Sequence, residues 1–250
     1  MPPGCAIVIP VYKRELDSLE QFSVDYSLAM IGRWPCVFVA PEGLDAAYYV
    51  NRYPQVRFEW FPSDYFRSVD DYSRLLVTQS FYDRFEAFEF VLLVQPDAIV
   101  LRDDLDFWSR QPFDYIGAPW PKGLEFLIKR DQFAGARSRL IKVTVGNGGF
   151  SLRRVAKCVA LLKEFPESVQ AFTSAGANED AFFSLMGALS KDFIIPNEIT
   201  ASRFSMELQP EYYYAVNGGR YPMGVHAWWL VQPHFWAACV PPLAAVLART

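Results

Sequence analysis

Phe90-Val91-Leu92-Leu93-Val94 is an unbroken apolar run that ends in Gln95-Pro96-Asp97. A strand buried on both faces of a parallel sheet reads as such a continuous Val/Leu run. Pro96 has no N–H to donate and restricts the residue before it, so the ladder stops there. In open α/β sheets ligands bind just beyond the carboxyl ends of the strands. The run therefore delivers the Asp97 carboxylate, on a stiff edge, to the place where a ligand is expected.

The flanking segments alternate. Cys5–Val11, Cys36–Ala40 and Val56–Trp60 read as strands, and Asp17–Ile31 between the first two has helical periodicity. Pro41-Glu42-Gly43 ends the second strand. The mix of apolar and polar faces over Val69 to Phe85 predicts one amphipathic helix leading into the Phe90–Val94 strand. Ile99–Leu101 is a short strand, Asp103-Asp104-Leu105 a helix start with acids on the positive end of the macrodipole, and Asp114-Tyr115-Ile116-Gly117 a return to the sheet. With 250 residues, 52% of them hydrophobic, the chain can bury a sizeable core as one domain. The expectation is an α/β fold: a single Rossmann-like domain whose mostly parallel central sheet carries helices on both faces.

Composition excludes several functions. A net charge of −4 leaves no basic face for phosphate neutralisation, so no nucleic-acid partner is expected. Cys5, Cys36, Cys158 and Cys239 are scattered, without metal-ligand or disulfide spacing, and suit a reducing compartment. Met1-Pro2-Pro3-Gly4 has no basic n-region and Ala6-Ile7-Val8-Ile9 is short for a signal core, so a cytoplasmic location is expected. Phe235 to Ala248 is apolar over 14 residues and contains Pro241-Pro242, well short of the ~20 residues that span a bilayer. It reads as a packed C-terminal segment or as a peripheral membrane contact.

Three further clusters carry chemistry. In Gly146-Asn147-Gly148-Gly149-Phe150-Ser151-Leu152-Arg153 the glycines permit a close approach that a Cβ would block, so that something large can lie against Gly148 and Gly149. Asn178-Glu179-Asp180 places two carboxylates at a helix start. His226, one of only two histidines, lies in the aromatic segment Tyr221–Trp228.

In their order and spacing, Val94-Gln95-Pro96-Asp97, Asp114-Tyr115-Ile116-Gly117-Ala118-Pro119-Trp120, Gly146 to Arg153 and Asn178-Glu179-Asp180 resemble the nucleotide-sugar-dependent glycosyltransferases of the GT-A fold, and more closely a bacterial glycosyltransferase-like family. The resemblance covers roughly residues 5 to 230. It implies a donor half over about 1–120 and an acceptor half over about 121–250. It implies a divalent cation, Mn²⁺ or Mg²⁺, held on the donor diphosphate by Asp97 and His226. Gln95 stands where the first carboxylate of the usual Asp-x-Asp pair belongs, and a neutral amide does not neutralise a cation.

The same resemblance assigns the remaining roles. Asp180 is the expected general base toward an acceptor hydroxyl, with inversion at the anomeric carbon, and Glu179 orients the acceptor. Tyr12 stacks on the base of a nucleotide sugar, a UDP-sugar being favoured, Gln95 meets a ribose hydroxyl or a metal-bound water, and Gly148 and Gly149 lie beside the donor sugar. Lys13, Arg74 and Arg153 are candidate diphosphate partners. Trp120 and Trp228 offer flat apolar faces to a glycan or other hydroxyl acceptor. A surface polysaccharide or glycoconjugate is the implied product. Two other readings are weighed against this one. A sugar nucleotidyltransferase would place a Gly-rich phosphate loop after the first strand, and Ile9-Pro10-Val11-Tyr12-Lys13-Arg14 has none. A catalytically silent sugar-binding or nucleotide-binding domain is the reading that Gln95 raises.

Overall fold

The computed structural model describes residues 4–128 and 139–248. The strands are β1 (Cys5–Pro10), β2 (Cys36–Pro41), β3 (Arg57–Phe61), β4 (Phe90–Val94), β5 (Ile99–Val100), β6 (Tyr115–Ile116), β7 (Pro119–Ile128), β8 (Arg139–Val145), β9 (Phe150–Arg154), β10 (Ser205–Met206) and β11 (Gly224–Val225). The helices are α1 (Ser18–Ile31), α2 (Ala47–Arg52), α3 (Val69–Leu76), α4 (Gln79–Asp83), α5 (Leu105–Trp108) and α6 (Val155–Glu164). They continue with α7 (Pro166–Ser174), α8 (Glu179–Leu189), α9 (Glu198–Phe204), α10 (Pro210–Val216), α11 (Pro233–Cys239) and α12 (Pro241–Leu247).

The central sheet runs β3-β2-β1-β4-β9-β6. β3, β2, β1 and β4 are parallel, and β9 is antiparallel to both of its neighbours. That one reversal matters for the site. Val94 pairs with Phe150, so the start of β9 meets the end of β4 and the Gly146–Gly149 loop arrives at the edge that carries Asp97. Within β4 the alternate residues Phe90, Leu92 and Val94 pack into one core and Val91 and Leu93 into the other. Burial on both faces explains the unbroken apolar run, each side chain contributing roughly 1.5–3 kcal/mol.

The strand expectations over residues 5–61 and 90–117 hold to within a residue or two. Helix α1 begins where Asp17 and Glu20 form a reciprocal capping box. The single helix expected over 69–85 is two helices. The Thr78 hydroxyl donates to the Leu75 carbonyl (2.7 Å) and accepts the Phe81 N–H (3.2 Å), capping a new helix instead of continuing the old one. β5 leaves the main sheet and joins β11 and β10 in a small sheet of its own. Against this small sheet α11 and α12 bury Trp236 and Leu243 completely, so their largest apolar side chains face inward. Among the described residues no helix is long and apolar enough to cross a membrane.

Candidate active site

The Gln95 N–H donates to the Gly149 carbonyl (2.8 Å), and the Ala98 N–H to the Gln95 carbonyl (2.8 Å), which closes a turn around Pro96-Asp97. β11 runs antiparallel to β5, so His226, the residue after β11, comes back to Asp97, which lies just before β5. His226 Nε2 stands 3.2 Å from Asp97 Oδ1 and 3.1 Å from Gln95 Oε1. Its other nitrogen, Nδ1, faces Glu207 Oε2 at 3.5 Å. Burial alone would depress the His226 pKa, but the Asp97 and Glu207 carboxylates outweigh it and push the ring up to about 10.

The ring therefore lies between two carboxylates, Asp97 on the Nε2 side and Glu207 on the Nδ1 side. This is the arrangement of a place that wants a cation, and the surrounding donors, one carboxylate, one amide oxygen and one imidazole, suit Mn²⁺ or Mg²⁺. Glu207 stands where the outer carboxylate of a carboxylate–histidine–metal arrangement belongs. Among the described residues no group of three or more His, Cys, Asp and Glu side chains is placed to hold a metal ion. Glu207 was not legible in the sequence, because it follows a two-residue strand and belongs to no motif.

The glycine run is at the site, for a reason other than the expected one. A Cβ on Gly149 would fall within 2.5 Å of three His226 ring atoms, and one on Gly148 would run into the Glu179 carboxylate. The Cβ direction of each of these two glycines is thus filled by the protein's own side chains. Gly146 likewise accommodates the half-buried Trp120, whose indole occupies the space of a Cβ there. Asn147 between them adopts the left-handed conformation, φ 56°, which asparagine tolerates better than most residues.

Asp180 and Glu179 have separate surroundings. Asp180 Oδ2 accepts the Gly148 N–H (3.1 Å) and Oδ1 the Ala181 N–H (2.6 Å). Burial, and then the neighbouring Glu179 charge, push its carboxyl up to about 6, suited to a general base near neutral pH. Glu179 is buried, accepting from Arg153 Nη2 (2.8 Å) and the Ser73 hydroxyl (2.9 Å). Arg153 is wholly buried, lies 5.3 Å from the ring centres of both Tyr115 and Phe183, and also donates to Tyr82 and Ser151. The expectations that Arg153 meets a diphosphate and that Glu179 orients an acceptor are corrected accordingly: the two neutralise each other inside the core.

A cavity of about 450 Å³ opens between the Tyr12 loop, the Phe66–Val69 segment, Gln95–Asp97 and Trp229-Leu230. Tyr12, 53% exposed, presents its ring there. The other expected cations are occupied. Lys13 is bound to Glu20 (2.7 Å), and Arg74 to Asp71 (3.1 Å) and Asp64 (3.6 Å). Arg67 lines the cavity and has no carboxylate partner among the described residues. Trp228 is corrected: it is fully buried, donates from Nε1 to the Ser23 hydroxyl (2.8 Å) and packs edge-on against Phe22. Its neighbour Trp229 reaches the cavity instead. Asp97 lines this cavity, and neither of the cavities of about 560 and 570 Å³ elsewhere is lined by it.

An open, mostly parallel sheet with one reversed strand, and with its acidic site at the carboxyl edge, is the architecture of the GT-A glycosyltransferases. Similar solved structures include mouse xyloside xylosyltransferase 1 in its apo form, with a TM-score of 0.52 and 12% identity over 89% of this chain and 97% of that one. Core-mannan synthase A of Aspergillus fumigatus in a Mn/GDP form gives a TM-score of 0.52 and 11% identity over 76% and 70% of the two chains. An active-site mutant of LgtC gives 0.52 and 15% over 88% and 86%. At these identities the likeness speaks for the fold. Residues 55–226 match the family described as "Protein of unknown function (DUF5672)", and the chain belongs to that family. No curated protein matches the sequence closely enough to count as a relative.

Proposed function

We propose that the protein transfers a sugar from a nucleotide sugar, a UDP-sugar, to a hydroxyl of a glycan or other acceptor. The observation that carries this reading is the convergence of Gln95, Asp97 and His226 beside a cavity that offers an exposed aromatic ring and an unpaired arginine. Tyr12 stacks on the base, and Arg67 meets the diphosphate in place of the cations that are already paired. Asp97 and His226, with Gln95 beside them, are the residues that would hold Mn²⁺ or Mg²⁺. When bound, such a cation neutralises the charge that develops on the departing diphosphate.

Asp180 accepts the proton of the acceptor hydroxyl as that oxygen forms the new glycosidic bond, and the product has inverted configuration. The two backbone N–H groups on its carboxylate fix its orientation. Trp120 and Trp229 flank the approach of the acceptor. A place in surface polysaccharide or glycoconjugate assembly goes with such a reaction. Cys5, Cys36 and Cys158, buried and unpaired, go with a reducing, cytoplasmic setting. The inward packing of Trp236 and Leu243 lends a membrane contact through the C-terminal segment no support.

The test is a thermal-shift screen of sugar nucleotides with and without Mn²⁺, followed by turnover with the best donor and assignment of the product anomer. A donor at a hundred times its Kd stabilises the native state by about 2.7 kcal/mol. If no sugar nucleotide shifts the melting temperature in either condition, the reading fails. Binding without turnover toward any acceptor would favour the silent binding domain that Gln95 suggests. A product of retained configuration would remove Asp180 as the inverting base.

A further inference from the structure

The cavity of about 570 Å³ lies at the opposite end of the small sheet from Asp97 and His226. Each strand of that sheet leads from one to the other. Asp97 precedes β5 and Arg102 follows it; Arg203 precedes β10 and Glu207 follows it; Tyr221 precedes β11 and His226 follows it. The cavity ends are tied through Met223, whose carbonyl accepts the N–H groups of Leu101 and Arg102 and whose own N–H donates to the Arg203 carbonyl.

In a chain with a net charge of −4, this cavity is cationic. Arg102, Arg203 and Arg220 line it against a single acid, Asp104, which Arg102 engages. Arg203 donates only to Asn217 Oδ1 (3.4 Å), and neither Arg203 nor Arg220 has a carboxylate partner among the described residues. Arg220 is carried by a turn built on Gly218 and Gly219, whose φ values of 67° and 73° disfavour any side chain. A planar guanidinium pairs bidentately with carboxylate or phosphate, so two that lack a carboxylate partner among the described residues point to an anion.

The aromatic wall narrows the ligand further. Phe107 is 57% exposed and packs edge-on against Trp108, whose buried indole N–H has no partner among the described residues. A flat exposed ring beside two guanidinium groups suits the apolar face and the charged group of an acidic sugar better than it suits a bare ion. We propose that this cavity binds an acidic saccharide, a sugar that carries a carboxylate or a phosphate, at a site separate from the donor cavity and independent of the transfer reaction.

Isothermal titration of the full chain with glucuronic acid, glucose 1-phosphate, glucose and inorganic phosphate tests this. The expected result is binding of the sugar anions, glucuronic acid reporting recognition of a carboxylate and glucose 1-phosphate that of a phosphate, with neutral glucose inert and inorganic phosphate weaker. Arg203→Gln with Arg220→Gln should weaken the sugar anions by about tenfold or more, because two charge-assisted bonds are lost. Phe107→Ala should weaken them while leaving phosphate unchanged, and Asp97→Asn should leave all four titrations unchanged. Should the double variant melt early, Arg220→Gln alone, on an exposed and unpaired side chain, serves in its place. Titrations unaffected by the arginine variants, inorganic phosphate bound as tightly as the sugar anions, or no binding at millimolar ligand would each overturn the proposal.

Discussion

Gly149→Ala is the smallest change that tests how the site is held together. Gly149 does not sit in the left-handed region, so alanine costs no backbone strain, and the whole effect is the collision of the new methyl with the His226 ring. The added carbon falls within 2.5 Å of three ring atoms, while carbon atoms in contact prefer about 3.5–4.0 Å, so the ring has to retreat by about 1 Å. It has little freedom to do so. The His226 N–H is tied to the Met206 carbonyl (3.2 Å), and Glu207 stands behind Nδ1. A retreat of that size breaks the 3.2 Å contact with Asp97 and the 3.1 Å contact with Gln95.

Overpacking of a dense site costs about 1–3 kcal/mol, and misplacing an active-site group by ~1 Å costs ~10²-fold in rate. The expected outcome is therefore a stability loss of about 1–3 kcal/mol in urea unfolding. Loss of Mn²⁺-dependent donor binding accompanies it. A double-mutant cycle with His226→Ala isolates the cause: once the ring is gone, alanine at 149 should cost little, giving a coupling energy of about 1–3 kcal/mol. Gly43→Ala is the control, a glycine at φ 84° with nothing within 4 Å of its Cβ position, which loses stability without touching donor binding. A Gly149→Ala protein as stable as the parent, or two substitutions that simply add, would refute the argument.

Three other outcomes follow from the same geometry. Asp180→Asn should lower turnover by ~10²–10⁴ with donor affinity little changed, and should abolish the acidic limb of kcat/KM, since the base works only when ionised. Because its folded pKa is raised, Asp180 contributes stability that is present below the ordinary value of 3.8 and is lost as pH rises through about 6, so melting temperatures of the Asn variant should be flatter across that window. Arg67→Ala should raise the donor KM by about tenfold with unchanged melting temperature; an unchanged KM would return the diphosphate to another cation. Arg153→Met, which strands Glu179 in the core, should destabilise by about 3–5 kcal/mol in denaturant unfolding, and a stable variant with selectively weakened donor binding would instead restore a donor role to Arg153.

The central sheet was legible because a strand buried on two faces has a signature that survives in one dimension, and Phe90–Val94 showed it without interruption. Asp97 and His226 are brought together by the small sheet, Asp97 lying before β5 and His226 after β11, while Asp180, in the first turn of α8, meets the glycine loop through the Gly148 N–H. Residue type alone misled where the outcome depends on burial. Arg153 and Trp228 look like ligand-binding side chains, yet both point into the core, Arg153 because Glu179 neutralises it and Trp228 because Ser23 accepts its N–H. Thr78 fits the polar face of one continuous helix over 69–85, yet its hydroxyl caps a new one instead. Arg67 and Glu207 had no local signal at all, since their relevance comes from what the fold places opposite them.

Gln95 takes on a different meaning in that light. Considered along the strand alone, an amide in the first carboxylate position removes one negative charge from a cation site. In three dimensions the charge lies on the other side of the imidazole: Glu207 faces His226 Nδ1 while Asp97 faces Nε2, so the ring is bracketed by two carboxylates although only one of them follows β4. The amide oxygen then stands 3.1 Å from the ring nitrogen without adding a like charge 2 residues from Asp97. Because all three side chains are set by the register of one small sheet, Asp97 before β5, Glu207 after β10 and His226 after β11, a shift of any strand moves the whole charge balance. The site is thus specified by strand pairing as much as by residue identity, which is why a motif scan that stops at residues 95–97 undercounts its acids.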